Sequence, residues 1–431
     1  MLLENESYPT DPRVRHEAET LVEAGYRVTV LAPYRDPRSA RRETVNGVEV
    51  VRFWSPVQGH NAAGFVVEYV VAHLQLARLT LGRLLRGADI VHVSNPPDTL
   101  AVLLVFARLF GRRTVFDNHD LFPELFELRY RNRLLAGVLR AFQRLAFRTP
   151  DLVITTNESQ RALVLRSVGR DPGSVVVVRN GPREDLPWGV ASNGAAAGDG
   201  AAAGNGAAAG NGAAAGNGAA AGNGAAAGNG AAAAGDRAAA RDGAGGPRLE
   251  LLFLGSLEPQ DGVEALADIL MLAVDRHGLD AGLTVVGEGS SREPFERRCA
   301  ALGVGERVRM VGRVAHYEVP GLLAGADVCV DPAPCNELNH RSTMVKIAEY
   351  IAARKPIVAF GLRETRRTAE DAALYAPCDD LPAFAALIAE LAGDRELREQ
   401  LSRRAEERLP ELLWGRSADA LRQAFAALDA G

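Results

Sequence analysis

The chain has 431 residues, 47% of them hydrophobic and 24% charged, and a formal net charge of −5. That length accommodates two domains with full cores, and the charge balance supplies no global basic field for nucleic acid. The longest apolar run, AVLLVFARLF at 101–110, is broken by Arg108 and falls short of the ~18–20 residues of a membrane-spanning helix, which leaves a cytoplasmic protein, at most peripheral at the inner face of a membrane.

The chain opens with MLLENESYPTDPRVRHEAETL, in which only Met1–Leu3 can be strand before a turn and a helix. A first strand of about five residues is expected in an α/β fold, so either this strand is short or the true start lies upstream. Strand-like runs follow at 26–34, 48–54, 89–94, 113–118, 151–157 and 174–180, with helical stretches such as 98–110 and 132–148 between them. From Asn193 to Gly235 the sequence repeats NGAAAG with a period of six. Two glycines per unit cost about 1 kcal/mol each against alanine in a helix, and the unit has nothing to bury, so a flexible linker is expected. Strand-like runs resume at 249–255, 282–289, 307–314, 326–332 and 355–361. Short Val/Ile/Leu runs alternating with helices indicate parallel sheets covered on both faces. Two such series predict an α/β protein of two doubly wound, Rossmann-like domains facing across a cleft and joined by the long Ala/Gly-rich linker. The expected division is 1–186, a linker at 187–247, 248–409, and a terminal helix at 410–431 that crosses back to the first domain, anchored by Trp414. Ligands of such sheets sit beyond the carboxyl ends of the strands, and the shared cleft is the default site.

Cys299, Cys329, Cys335 and Cys378 form no CxxC pair, and no secretory signal opens the chain. Buried free thiols in a reducing compartment are the expectation. Lys346 and Lys355 are the only lysines, an arginine bias of the kind a GC-rich genome imposes.

The stretch LNHRSTMVKIAEYIAARKPIVAF at 338–360 crowds polar and cationic residues at the front of a helix expected over 344–353. Met344, Ile347, Ala348, Ile351 and Ala352 recur at helical spacing and form a core stripe. Ser342 or Thr343 is the expected N-cap. Lys346 in the first turn and Arg341 before it oppose the helix dipole, by roughly 0.3–1 kcal/mol each when exposed. Around a bound anion the same charges and the free amides act together, which suggests a phosphate-like ligand, with Glu349 one turn deeper accepting from its hydroxyls. The other reading is a surface helix carrying a Lys346–Glu349 pair, and both stand on these residues alone.

STMVKIAEYIAARKPIVAF resembles the donor-site signature of GT-B glycosyltransferases of family four. ADVCVDP, LELLFLGSLEPQDGVEAL, LTVVGEG and RVRMVGRV resemble the rest of the donor domain, and PTDPRVRHEAETLVEAGYRVTVLAP, VFDNHDLFPELF and LVITTNESQ…VVVVRNGP the acceptor domain. The likeness covers nearly the whole chain outside the linker and is closest to a bacterial, actinobacterial-like branch. It implies a metal-independent, retaining transfer of a sugar from a nucleotide-diphosphate donor to a glycan or lipid-linked acceptor, in polysaccharide or cell-envelope synthesis, with no cofactor. The sequence has no Asp-x-Asp pair and no metal-spaced His/Cys cluster. Carried over by position, Glu349 binds the donor ribose, while Arg341, Ser342, Thr343 and Lys346 line the sugar and diphosphate. Gly255 and Ser256 mark the glycine turn near the diphosphate, Arg313 and Val314 hold the base, and Asn180-Gly181 is the hinge. His119 reaches the transferred sugar, and Asp120 and Glu124 follow it toward the acceptor. Where family members carry a glycine-rich loop this sequence has Pro9 and Pro12; His16, just after the first strand–helix turn, is expected to face the cleft, with Arg13 or Arg15 positioning the acceptor. The catalytic set is therefore His119, Lys346 and Glu349.

Two departures stand out. Arg341 occupies the place of a first glutamate eight before Glu349, and Ser256 and Asp261 replace a basic pair that neutralises the departing diphosphate in many members. Lys346, Arg341, Arg363 or Arg366 would then take that role. The arginine-rich segment 129–148 fits either a seat on anionic lipid or an ordinary solvated helix. The alternatives to a transferase are a non-catalytic nucleotide-sugar-binding scaffold, suggested by Ser256 and Asp261, and a nucleotide-sugar epimerase.

Overall fold

The computed structural model describes residues 1–4, 7–34, 39–54, 62–130, 133–188 and 248–430. The Ala/Gly repeat, nearly all of the expected linker, and residues 131 and 132 of the arginine-rich segment lie outside the described residues.

Seven strands precede the repeat: β1 Thr29–Pro33, β2 Arg42–Val45, β3 Val48–Phe53, β4 Ile90–Ser94, β5 Arg113–Asn118, β6 Leu152–Thr155 and β7 Val175–Val177. Six follow it: β8 Leu249–Leu254, β9 Ala281–Val286, β10 Val308–Gly312, β11 Val328–Asp331, β12 Ile357–Phe360 and β13 Ala373–Ala376. The second set forms one parallel sheet in the order β10-β9-β8-β11-β12-β13. The first set forms β1-β3-β2 and β4-β5-β6-β7. The short N-terminal strand joins these two groups. Leu2 bridges in parallel to both Leu31 and Val93, with its amide on the His92 carbonyl at 2.8 Å. The fold is thus two Rossmann-like α/β domains.

Each expected strand appears near its place, and two strands were not anticipated. β2 pairs antiparallel with β3 through a hairpin whose turn is Asn46-Gly47, both at positive φ. Asn-Gly is a strong two-residue hairpin signal, and the half-exposed RETV strand at the sheet edge carries little hydrophobic pattern to reveal it. β13 has only four residues, with mixed burial.

Alternation along β8 explains how the second core fills both faces of its sheet. Leu251 and Phe253 pack with Phe295 and Phe384 on one side, whereas Leu252 and Leu254 pack with Ile347, Tyr350 and Ile351 on the other. The stripe Met344, Ile347, Ala348, Ile351 and Ala352 is buried as its spacing implies. The chain returns from the second domain at 409–414, so tightly that a Cβ on Gly181 would sit 2.1 Å from the Leu412 carbonyl oxygen. The final helix, Trp414–Ala430, then packs on the helix Pro12–Glu23, with the indole N–H of Trp414 donating to Thr20 Oγ1 at 3.1 Å.

The cysteine expectation needs correction in half of its members. Cys299 and Cys329 are buried and free, but Cys335 and Cys378 form a disulfide. The loops after β11 and β13 lie side by side, which brings cysteines 43 positions apart to a Cα separation of 5.5 Å, a proximity that no local spacing reveals.

Candidate active site

The helix Val345–Ala352 stands between β11 and β12 in the second domain. Its N-cap is Met344, with no side-chain cap bond, so neither Ser342 nor Thr343 caps it as expected. Both side chains are drawn elsewhere. Ser342 ends the preceding turn of helix Glu337–Arg341 and donates its hydroxyl to the Leu338 carbonyl at 2.9 Å. Thr343 Oγ1 accepts from the Asn157 amide at 2.8 Å. The N-cap residue therefore supplies no side-chain acceptor to the first-turn amides.

Behind this helix tip lies a pocket lined by Leu254, Gly255, Ser256, Asp261, Val345, Lys346 and Glu349. It opens past the carboxyl end of β8, where a doubly wound sheet presents its ligand. Gly255 has φ +147°, and a Cβ there would lie 2.9 Å from Lys346 Cε, so glycine is needed both for the backbone and for the lysine stem. The surface-helix reading is overturned: Lys346 is 5% and Glu349 2% exposed. Nor do they pair with each other. Glu349 takes the His316 ring nitrogen at 3.0 Å. Lys346 Nζ lies 2.9 Å from Asp261 and 3.4 Å from Asp331, over the Phe253 ring at 4.4 Å. Burial works against the lysine charge, but the two carboxylates outweigh it and hold the ammonium above its ordinary pKa. Asp261 is one of the two departures at the expected basic pair, and the fold makes it the partner of the remaining cation. The second oxygens of Asp261 and Asp331 have no hydrogen-bond partner among the described residues.

The pocket thus gathers Gly255, Ser256, Lys346 and Glu349 from the expected donor set. Arg313, Val314, Arg341, Ser342 and Thr343 do not line it. Arg313 is exposed, Val314 packs on the core, and Arg341 pairs with Glu337 at 2.7 Å. Arg366 lies over the Tyr375 ring at 4.3 Å.

In the first domain the residues expected to face the acceptor are drawn largely into the protein's own contacts. His119 follows β5 and places its ring nitrogen Nε2 on Asp117. Arg13, 3% exposed, grips the same carboxylate through NH2 at 2.7 Å and Nε at 3.2 Å, and its NH1 donates to the Val178 carbonyl and to Asn180. All of its nitrogens are committed to the protein. His16 stacks against Trp414 with ring centroids 5.0 Å apart. Burial, with Arg15 and Arg183 adding to it, lowers its pKa to about 3, so the ring is neutral. Asp120 and Glu124 are both pushed up by burial.

Sequence reasoning missed four side chains that organise these sites. Asp117 is the penultimate residue of β5, Asp331 ends β11, and His316 contacts Glu349. Asn157 caps the helix Glu158–Val168 and crosses to the second domain, donating to the Arg341 carbonyl at 2.9 Å as well as to Thr343. Beside it, Arg367 donates to Ser159 at 3.0 Å. TTNES does signal the cap; its reach across the cleft is a tertiary fact. Two groupings with metal-ligating atoms also arise only in three dimensions: Cys335, His340 and Cys378, whose sulfurs are bonded to each other, and the buried Glu17, His92 and Asp117.

A family model described as a glycosyl transferase 4-like domain matches residues 10–181, and one described as glycosyl transferases group 1 matches residues 248–394. Among curated proteins, an alpha-D-kanosaminyltransferase of Streptomyces kanamyceticus is 27% identical over 157 residues, which are 36% of this chain and 39% of that protein. An uncharacterised glycosyltransferase of Methanocaldococcus jannaschii is 32% identical over 108 residues, 25% of this chain and 26% of its own. The matched stretches thus span well under half of these relatives. Among solved structures, a sucrose-phosphate synthase from Thermosynechococcus elongatus superposes with a TM-score of 0.68 at 17% identity, covering 100% of this chain and 98% of the other. HepE of Anabaena, in complex with UDP and glucose, gives a TM-score of 0.68 at 14% identity, covering 99% and 98%. At these identities the superpositions establish the fold.

Proposed function

The chain belongs to the GT-B glycosyltransferases, and from that premise we propose that it transfers a hexose-type sugar from a nucleotide-diphosphate donor to a hydroxyl of a glycan or glycolipid, with retention and without a divalent metal. One observation carries the reading. Gly255, Ser256, Lys346 and Glu349, from two distant stretches, converge on one pocket inside the segment matched by the group 1 model. A structural neighbour solved with UDP and glucose supports a nucleotide-sugar donor, and a relative named for kanosaminyl transfer supports a hexose-type sugar.

The geometry suits the chemistry such a transfer requires. Glu349 accepts from the ribose hydroxyls, and the diphosphate meets the uncapped amides of the helix 345–352 and the ammonium of Lys346. As the anomeric bond breaks, negative charge grows on the departing diphosphate and Lys346 turns towards it from Asp261. Arg341, Arg363 and Arg366 are the further cations of this region. His119 faces the transferred sugar, and closure of the two domains keeps water from the oxocarbenium-like centre. A place in cell-envelope synthesis is supported by the helix Arg133–Arg148, which exposes Leu134 (87%), Leu135 and Val138 and, further along, the arginines Arg144 and Arg148. Such a face fits peripheral contact with anionic lipid. No described helix is long and apolar enough to cross a membrane.

Thermal-shift screening of UDP, GDP and dTDP identifies the base, and donor hydrolysis then tests the reaction. The wild type should release nucleotide diphosphate slowly with water as acceptor, and Glu349→Ala should abolish the release. Binding without release would make the protein a scaffold, and a changed sugar without release would make it an epimerase.

A further inference from the structure

We propose that Asp117 is a positioning residue for the acceptor-side histidine: it fixes the His119 ring with Nε2 protonated and leaves the Nδ1 lone pair as the acceptor offered to a hydroxyl of the transferred sugar. The sugar-facing half of this statement rests on the function proposed above; the ring geometry does not.

Asp117 is the penultimate residue of β5 and is fully buried. Its Oδ1 takes the Arg13 NH2 group at 2.7 Å, and its Oδ2 takes Arg13 Nε at 3.2 Å together with His119 Nε2. A carboxylate gripped by both prongs of a guanidinium is ionised and has no proton to give. The proton in the His119–Asp117 contact therefore belongs to Nε2. When the ring is neutral, Nδ1 is then a lone pair. Nδ1 has no hydrogen-bond partner among the described residues, and the side chain is 13% exposed, so a partner from outside can reach it.

The backbone is held as firmly as the ring. Asn95 Oδ1 accepts the His119 amide at 2.6 Å and the Asp120 amide at 3.2 Å. The Asn95 amide group donates to Asp98 at 2.7 Å and to the Asp120 carbonyl at 2.8 Å. Glu17 and His92 are the other titratable groups that face this carboxylate. His92 Nε2 stands 3.8 Å from Asp117 and 3.6 Å from Glu17, beyond hydrogen-bonding distance. Burial pushes Glu17 well above the usual carboxylate range and lowers the His92 pKa, so Arg13 and Asp117 hold the charge of the network.

Nitrogen-15 NMR of the imidazoles in the full chain tests this directly. Wild type should show His119 as the Nε2–H tautomer with a downfield, slowly exchanging Nε2 proton. In Asp117→Asn the carboxamide oxygen stays on Arg13 and its NH2 group turns to the ring. That change should move His119 towards Nδ1–H and lower kcat for donor hydrolysis by roughly tenfold or more, with donor KM little changed. An Nδ1–H ring or a rapidly exchanging Nε2 proton in wild type would overturn the proposal without any variant. So would an Asp117→Asn protein that keeps both the tautomer and kcat. If wild type hydrolyses no nucleotide sugar, the function fails, while the wild-type spectrum still decides the role of Asp117.

Discussion

Both halves of the molecule bury one cation between two carboxylates, and they handle the charge in opposite ways. In the first domain Arg13 lies between Asp117 and Glu17; in the second Lys346 lies between Asp261 and Asp331. Arg13 spends its rigid fork on Asp117, its remaining nitrogen goes to backbone and Asn180, and Glu17 is pushed towards its neutral form by burial. The result is a buried network that reaches outward through the His119 ring. Lys346 is a single point charge on a flexible stem at the wall of a pocket. Arginine fixes geometry, whereas lysine can change partner when an anion arrives.

Removing the cations is the strongest way to break this comparison. Lys346→Met leaves two buried carboxylates uncompensated and should cost about 3–5 kcal/mol in chemical denaturation; Arg13→Met should cost a similar amount. The two should differ in ligand response: saturating nucleotide diphosphate should raise the Tm of Arg13→Met and leave that of Lys346→Met unmoved. Equal responses would remove the distinction.

The second half is also stapled. Replacing Cys335 and Cys378 together by serine should lower stability by about 2–4 kcal/mol, and a thiol reductant should reproduce the shift in wild type only. Unchanged unfolding would mean that the Asp379 bond to the Cys335 amide, at 3.1 Å, is enough to hold the two loops together.

Taken per pH unit, the smallest effect lies in the first half. His16 has a folded pKa of about 3, below its unfolded value, so the unfolded chain takes up a proton that the folded chain refuses. Stability should therefore fall as pH drops from about 6.5 towards 3, by up to about 1.4 kcal/mol per pH unit. His16→Gln should remove that part of the slope and leave neutral-pH stability nearly unchanged. An unaltered slope in urea titrations would show that the ring is charged in the folded protein.

The donor helix shows how far periodicity reaches. The buried stripe from Met344 to Ala352 was legible because burial follows a 3.6-residue repeat, and Gly255 was legible through the family resemblance. The N-cap was misread because Ser342 and Thr343 each find a better partner, one in the preceding turn and one in the other domain. β2 was announced by Asn46-Gly47 and overlooked, while β13 is too short to carry a pattern.

Sequence alone determined the two α/β halves, the repeat between them and the helix that fronts the pocket, because strand runs, helical stripes and glycine turns are local properties of the chain. Tertiary structure decided which charges meet. Asp261 with Lys346, Asp117 with Arg13, Asn157 with Thr343, and Cys335 with Cys378 are all contacts across 43 residues or more, and the Asp117–Arg13 pair in turn fixes the local contact of Asp117 with His119. The strength of an ion pair or hydrogen bond depends on distance, burial and competing partners, and those are set only when distant segments pack together.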